Sequence, residues 1–142
     1  MLVAQIIREK GGQVFTCAPG DTIAEVARSL KAKRVGAVVV CDEQRVVGIL
    51  SERDIVGAVA ATGTAALDQP VSDFMTADVV FARPSETVDD LLGRMTDRRI
   101  RHLPVLDDRE LCGIVSIGDL VKRKIDETVQ EAETLKAYIV SG

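Results

Sequence analysis

The chain has 142 residues, 46% of them apolar, and a formal net charge of −4. That size suits one compact domain or two half-domains sharing a core, and an acidic balance without a Lys/Arg-rich block argues against broad electrostatic binding to nucleic acid or an anionic membrane. The longest uncharged stretch, 55–67, has 13 residues, short of the roughly 18 that a membrane span needs, and MLVAQIIREKGG has no secretory-signal pattern, so a cytoplasmic protein without nucleic-acid or membrane partners is expected.

In chain order, VAQII (3–7) reads as a short lead-in helix and residues 14–17 as a short strand. Thr22-x-x-Glu25 is a capping-box phrase, and Ile23, Val26, Ala27 and Leu30 follow at the i, i+3, i+4, i+7 spacing of an amphipathic helix. The β-rich runs GAVVVCD and RVVGILS, joined by a tight polar turn, predict a hairpin, and a helix begins at Ser51. Residues 61–69, ATGTAALDQ, read as a linker. VSDFM (71–75) then repeats the lead-in and 79–82 the short strand. Thr87-x-x-Asp90 with Val88, Leu91, Leu92 and Met95 repeats the capped helix, and HLPVLDD and ELCGIVS repeat the hairpin, with Asp107-Asp108 at its turn. The last helix starts at Ser116 and runs on through KRKIDETVQEAETLKAY, keeping Val121, Ile125, Val129 and Ala132 on one stripe that wants a partner surface. Lys122, Arg123 and Lys124 read as its solvated face.

Residues 19–56 align with 84–121 at an offset of 65 without a gap, and ten of the 38 positions are identical. GILSERDIV (48–56) and GIVSIGDLV (113–121) are therefore two copies of one phrase in an internal duplication. Each β-α-β-β-α unit is too small to hide its apolar faces by itself. An α/β (α+β) fold follows as the expectation, with two units packed sheet to sheet about a pseudo-two-fold axis and related clefts between them.

At Ser51 and Ser116 a strand gives way to a helix, so backbone N–H groups and the helix dipole favour a phosphate there. Asp54 and Asp119, one turn on, are placed to accept hydrogen bonds from a ribose diol, and Gly48 and Gly113 permit close approach to the strands. Ser-x-x-Asp is equally a capping pair, and for either copy taken singly capping is the simpler reading. Basic side chains near each phrase, Arg53 in the first copy and Arg101 with His102 in the second, favour a ligand. Cys17, Cys41 and Cys112 form no C-x-x-C, and with one histidine the clustered ligands of a metal site are missing. Reduced thiols in strand-like runs fit a reducing cytoplasm. The sequence has no Walker-A loop, acidic metal cluster or nucleophile–base pair, so no catalytic residue is assigned. His102, the single histidine, has no nucleophile beside it.

The gapless repeat, the RIRHLPVLDD phrase and the doubled Gly-Ile-x-Ser-x-x-Asp closely resemble a tandem pair of cystathionine-β-synthase-type (CBS) domains, a Bateman module, over residues 3–123. Repeat 1 is placed at 1–60, the linker at 61–69, repeat 2 at 70–123 and a C-terminal helical extension at 124–142. The resemblance implies a non-enzymatic sensor of an adenosyl small molecule (AMP, ADP, ATP, NAD or S-adenosylmethionine) held between the repeats, with no prosthetic group. It also implies a homodimer of four repeats, acting on a regulated protein that the sequence does not name. Carried over residue by residue, Asp54 and Asp119 look like the ribose-binding acids, and Ser51 and Ser116 flank the phosphate. Thr16 matches a ligand-side position whose partner in the second copy is Phe81. Gly36, Ala37 and Val38, and likewise Arg101, His102 and Leu103 with Pro104, take the place of the adenine-facing strand start, and Arg53 stands where the second copy has Gly118. The two sites are therefore not equivalent, and the Asp119 site is expected to hold phosphate-bearing ligands more tightly. The rival readings are a structural dimerisation module with no physiological nucleotide and a nucleotide-acting enzyme.

Overall fold

The structure, a computed structural model, describes residues 1–141. In chain order its elements are α1 (Val3–Lys10), β1 (Thr16–Cys17), α2 (Ile23–Lys33), β2 (Ala37–Asp42), β3 (Arg45–Ser51), α3 (Glu52–Thr62), α4 (Val88–Arg98), β4 (His102–Asp107), β5 (Glu110–Ser116) and α5 (Ile117–Ser141), with 3₁₀ turns at Gly63–Asp68 and Val71–Asp73. The fold is mixed α/β with two small sheets, as the patterning predicts. Packing sorts the chain into two units, residues 14–80, and residues 1–13 together with those from 81 onward.

In the unit 14–80, β1 runs parallel to β2, with Thr16 opposite Val39, and β2 pairs antiparallel with β3. The capping box that starts α2 forms as expected, with Thr22 Oγ1 accepting from the Glu25 N–H at 3.2 Å and Glu25 Oε2 accepting from the Thr22 N–H at 3.2 Å. The stripe it launches buries Ile23, Val26 and Leu30 against Val38, Val40 and Leu50. Val71 joins that core, and Thr76 exchanges both backbone hydrogen bonds with Ile49, covering the outer edge of β3. Within 61–69, read as a linker, lie the end of α3 and a 3₁₀ turn with Ala66 fully buried.

In the other unit, β4 and β5 form the hairpin, α1 and α5 pack against β5, and α4 packs against α5. α1 is tied in through the Val3 N–H to the Glu86 carbonyl at 2.9 Å and the Ala4 N–H to the Pro84 carbonyl at 3.0 Å. The strand expected at 79–82 is reduced to one parallel bridge, Ala82 with Val105. Proline explains the loss. In the first copy the Val39 N–H donates to the Phe15 carbonyl at 3.1 Å, and the residue equivalent to Val39 is Pro104, which has no N–H to give.

The duplication reaches into backbone conformation. All six non-glycine residues with positive φ fall into three pairs at the same offset: Arg34 with Arg99 at the ends of α2 and α4, and Glu43-Gln44 with Asp108-Arg109 in the two hairpin turns. Two consecutive positive φ values define the hairpin turn whose twist matches the strands, and Asp108 sits there as a turn residue. Each hairpin also carries a register shift at the same place, Val40/Cys41 and Val105/Leu106.

The two strand glycines serve packing. A Cβ on Gly48 would lie 2.5 Å from Met75 Sδ, 2.9 Å from Met75 Cγ and 3.1 Å from the Thr76 carbonyl oxygen, and one on Gly113 would press into Ile7 Cδ1. The close approach is thus made by side chains of the two lead-in segments. Gly48→Ala is expected to destabilise by about 1–3 kcal/mol through overpacking, and Gly113→Ala by less, because only the swinging end of Ile7 must move. Denaturant unfolding of both variants checks the order, and equal or reversed losses would contradict it.

Candidate functional site

Each hairpin sets the start of its first strand beside the end of its second: Ala37 pairs with Ser51, and His102 with Ser116. The helix that follows is stitched to the same point, with the Glu52 N–H donating to the Gly36 carbonyl at 3.0 Å and the Ile117 N–H to the Arg101 carbonyl at 2.8 Å. Gly36, Ala37 and Val38 are thereby brought to Ser51 and Asp54, and Arg101, His102, Leu103 and Pro104 to Ser116 and Asp119. Ala37, Val38, Leu103 and Pro104 are buried, Gly36 and His102 half-buried, and Arg53 and Arg101 exposed. Thr16 is exposed on β1, in the same sheet as Val38. Phe81, half-buried, precedes the Ala82 bridge. It is the one candidate that lines a separate groove of about 950 Å³ with Arg83, Glu86, Arg94, Asp108 and Arg109. Arg94 spans that groove, donating to the Phe81 carbonyl at 3.0 Å and pairing with Glu86.

Both Ser-x-x-Asp pairs form capping interactions. Ser51 Oγ accepts from the Asp54 N–H at 3.3 Å, and Asp54 Oδ2 accepts from the Ser51 N–H at 2.9 Å and from the Ser51 hydroxyl at 3.1 Å. In the second copy Ser116 Oγ accepts from the Asp119 N–H at 3.1 Å and Asp119 Oδ2 from the Ser116 N–H at 2.9 Å. In each helix two of the first-turn amides that favour a phosphate are already engaged, one on the strand carbonyl and one on the serine. Both caps use Oδ2 of the acid.

The helix start of the second copy is met by a residue that sequence reasoning missed. Lys10, at the end of α1, places its Nζ 2.6 Å from Asp119 Oδ2 and 2.8 Å from the Ile114 carbonyl oxygen. Burial pushes the Asp119 carboxyl up, but the Lys10 hydrogen bond, the Ser116 N–H and the Lys10 charge outweigh it and hold the group below its ordinary value. Asp54 accepts from the Ser51 N–H and hydroxyl. The basic run after Asp119 is only partly solvated: Arg123 pairs with Glu9 at 2.5 Å and Lys124 with Asp89 at 2.9 Å.

The three cysteines are free. Burial first, then Asp21 and Cys41, push the Cys17 thiol up to about 11, and burial raises Cys41 and Cys112 as well, so they remain protonated and poorly nucleophilic near neutrality. Among the described residues no group of His, Cys, Asp and Glu could hold a metal ion, and no helix is long and apolar enough to cross a membrane.

Comparison with known proteins gives a concordant result. The family model for the CBS domain matches residues 3–61 and again 71–132. A mitochondrial CBS domain-containing protein of Arabidopsis thaliana, CBSX3, is 33% identical over 149 residues, covering 99% of this chain and 72% of that protein. The crystal structure of a CBS-domain containing protein from Agrobacterium tumefaciens superposes with a TM-score of 0.86 at 45% identity, covering 87% of this chain and 99% of the other. The CBS domain pair of protein MJ0100, solved in complex with 5′-methylthioadenosine and S-adenosyl-L-methionine, superposes with a TM-score of 0.78 at 28% identity over 89% of this chain and 98% of the other.

Asp119 makes stability depend on pH in a stated direction. Its folded-state value is depressed, so its contribution is complete above the ordinary value of 3.8 and is lost as pH falls through the lowered folded value. Asp119→Asn should flatten that part of the acid limb while leaving the part due to Glu86, which the Arg94 hydrogen bond also holds low. Thermal melts of both proteins from neutrality into acid test this, and parallel curves would refute it.

Proposed function

The chain belongs to the CBS-domain family and carries the domain twice, and from that premise we propose that it is a regulatory module whose Ser51–Asp54 and Ser116–Asp119 helix starts each bind an adenosyl compound. The observation that carries this reading is the same arrangement in both copies, a capped helix-start aspartate set beside the start of the neighbouring strand. Oδ2 accepts the cap in both copies, which fixes the carboxylate that receives the hydroxyls of a ribose on this reading. A strand start lies immediately beside each acid, where backbone groups of residues 36–38 and 101–103 meet the edge of an adenine. The bound 5′-methylthioadenosine and S-adenosyl-L-methionine of the MJ0100 domain pair support the same ligand class.

On this reading AMP, ADP, ATP, NAD and S-adenosylmethionine are the ligands to test, with Arg53 and Arg101 serving their phosphates and Thr16 and Phe81 flanking the two sites. The module itself is non-catalytic. Ligand acts by population shift, which requires unequal affinity for two conformations, and the three thiols suit a reducing cytoplasm. The sites are tested by titrating AMP and ATP into Asp54→Ala, Asp119→Ala and the parent, and by melting all three without ligand. Loss of ribose hydrogen bonds to a charged acceptor, about 1.5–3 kcal/mol each at most, should weaken Asp119→Ala tenfold or more. If Asp119→Ala binds as the parent does while melting lower, the acid is only a cap, and the structural rival gains.

The same premise leads to a homodimer. Val121, Ile125 and Val129, on one stripe of α5, are 42%, 57% and 51% exposed, and covering such a stripe with a second copy removes it from water. Light scattering at micromolar protein should show a dimer that Ile125→Glu with Val129→Glu converts to monomer. A monomeric parent, with and without nucleotide, would refute the dimer.

A further inference from the structure

Lys10 and Asp119 are 109 residues apart in the chain, yet the ammonium sits 2.6 Å from the carboxylate and 2.8 Å from the Ile114 carbonyl oxygen. These acceptors come from the end of β5 and the first turn of α5, on either side of Ser116, so the cation is fixed at the helix start by two anchors. An ammonium has three donors, and the third is uncommitted among the described residues. The Lys10 and Asp119 side chains are 33% and 26% exposed, a setting in which charge is screened less than at an open surface.

We propose that Lys10 is the specificity-determining residue of the Ser116–Asp119 site, making it select adenosyl ligands with an anionic group beside the ribose over neutral nucleosides. The inference rests on the adenosyl reading above and adds to it the charge class of the ligand. An aspartate that grips a ribose repels a phosphate on the same sugar, and Lys10 cancels that charge while offering a donor of the right sign. Because the Ile114 carbonyl also holds it, the ammonium need not leave when Asp119 turns to the ligand. The first copy has no lysine at the equivalent place. Aligning the lead-ins VAQII (3–7) and VSDFM (71–75) puts Asp78 at the place of Lys10, and Asp54 is held by Ser51.

Calorimetric titration of AMP and of adenosine into the full chain carrying Asp54→Ala isolates the second site. Lys10→Met added there should lower the ratio of AMP to adenosine affinity roughly tenfold, the scale of one charge-assisted hydrogen bond, and Lys10→Arg should restore most of it. In an Asp119→Ala background, where the Ile114 carbonyl still holds the ammonium, Lys10→Met should again weaken AMP more than adenosine. An unchanged ratio in Lys10→Met, or an equal loss for both ligands with a lowered melting temperature, overturns the inference and leaves Lys10 a structural ion pair. A parent that binds neither compound fails the adenosyl reading itself, and the selectivity falls with it.

Discussion

The architecture depends on two strand positions that have no side chain. Gly113 on β5 receives Ile7, and Gly48 on β3 receives Met75 and the backbone of Thr76. In each case the filling segment belongs, by sequence, to the other repeat: Ile7 lies in the matched span 3–61 and Gly113 in 71–132, while Met75 lies in 71–132 and Gly48 in 3–61. A single repeat would leave its glycine slot open and its lead-in residues, such as the fully buried Val3 and Val71, without a core. Two copies are therefore the smallest number that closes the packing, consistent with how little surface a 60-residue half can bury by itself. This also explains why the phrase begins with glycine in both copies.

The exchange has a chemical consequence. Because α1 must dock on β5 for Ile7 to reach Gly113, its last turn arrives at the β5–α5 junction and brings Lys10 to Asp119. The other lead-in runs along β3 in the same sense, with Thr76 bridged to Ile49, and carries no lysine after it until well past the sheet. A packing requirement thus delivers different charges to two otherwise duplicated helix starts. Proline adds a second asymmetry, since Pro104 in place of Val39 removes the hydrogen bond that holds the first short strand in register.

What could be read from the sequence was local. Capping boxes, amphipathic stripes and hairpin turns are set by residues three to ten apart, and α2, α4, the two hairpins and the helix starts at Ser51 and Ser116 lie where those patterns put them. The gapless offset even anticipates the paired positive-φ residues, although Arg34, Gln44 and Arg99 are not the glycine or asparagine that such conformations favour. The exchange of lead-ins was not legible, because nothing in VAQII or VSDFM says which hairpin each will cover. Lys10 was missed for the same reason: a contact across 109 residues leaves no periodic trace, and a basic residue in a last helical turn is already explained by the dipole. Cap and ligand are not exclusive alternatives at Ser-x-x-Asp. A carboxylate has two oxygens, and the geometry commits only Oδ2 to the cap.

That sharing couples binding to the helices themselves. α3 is 11 residues long and runs into a 3₁₀ turn with Ala66 buried, so its far end is held within its own unit. α5 is 25 residues long, and beyond its ion pairs at Arg123 and Lys124 it presents exposed Ile125, Val129 and Leu135. On the proposed function, a ligand at Asp119 perturbs the cap of the helix that bears the candidate partner surface, whereas a ligand at Asp54 perturbs a helix whose far end packs within its own unit. A cap contributes about 0.5–2 kcal/mol, comparable to the coupling energies by which one site typically alters another. On the proposed function, then, occupancy of the second site, rather than of the first, bears on the helix that carries the candidate partner surface.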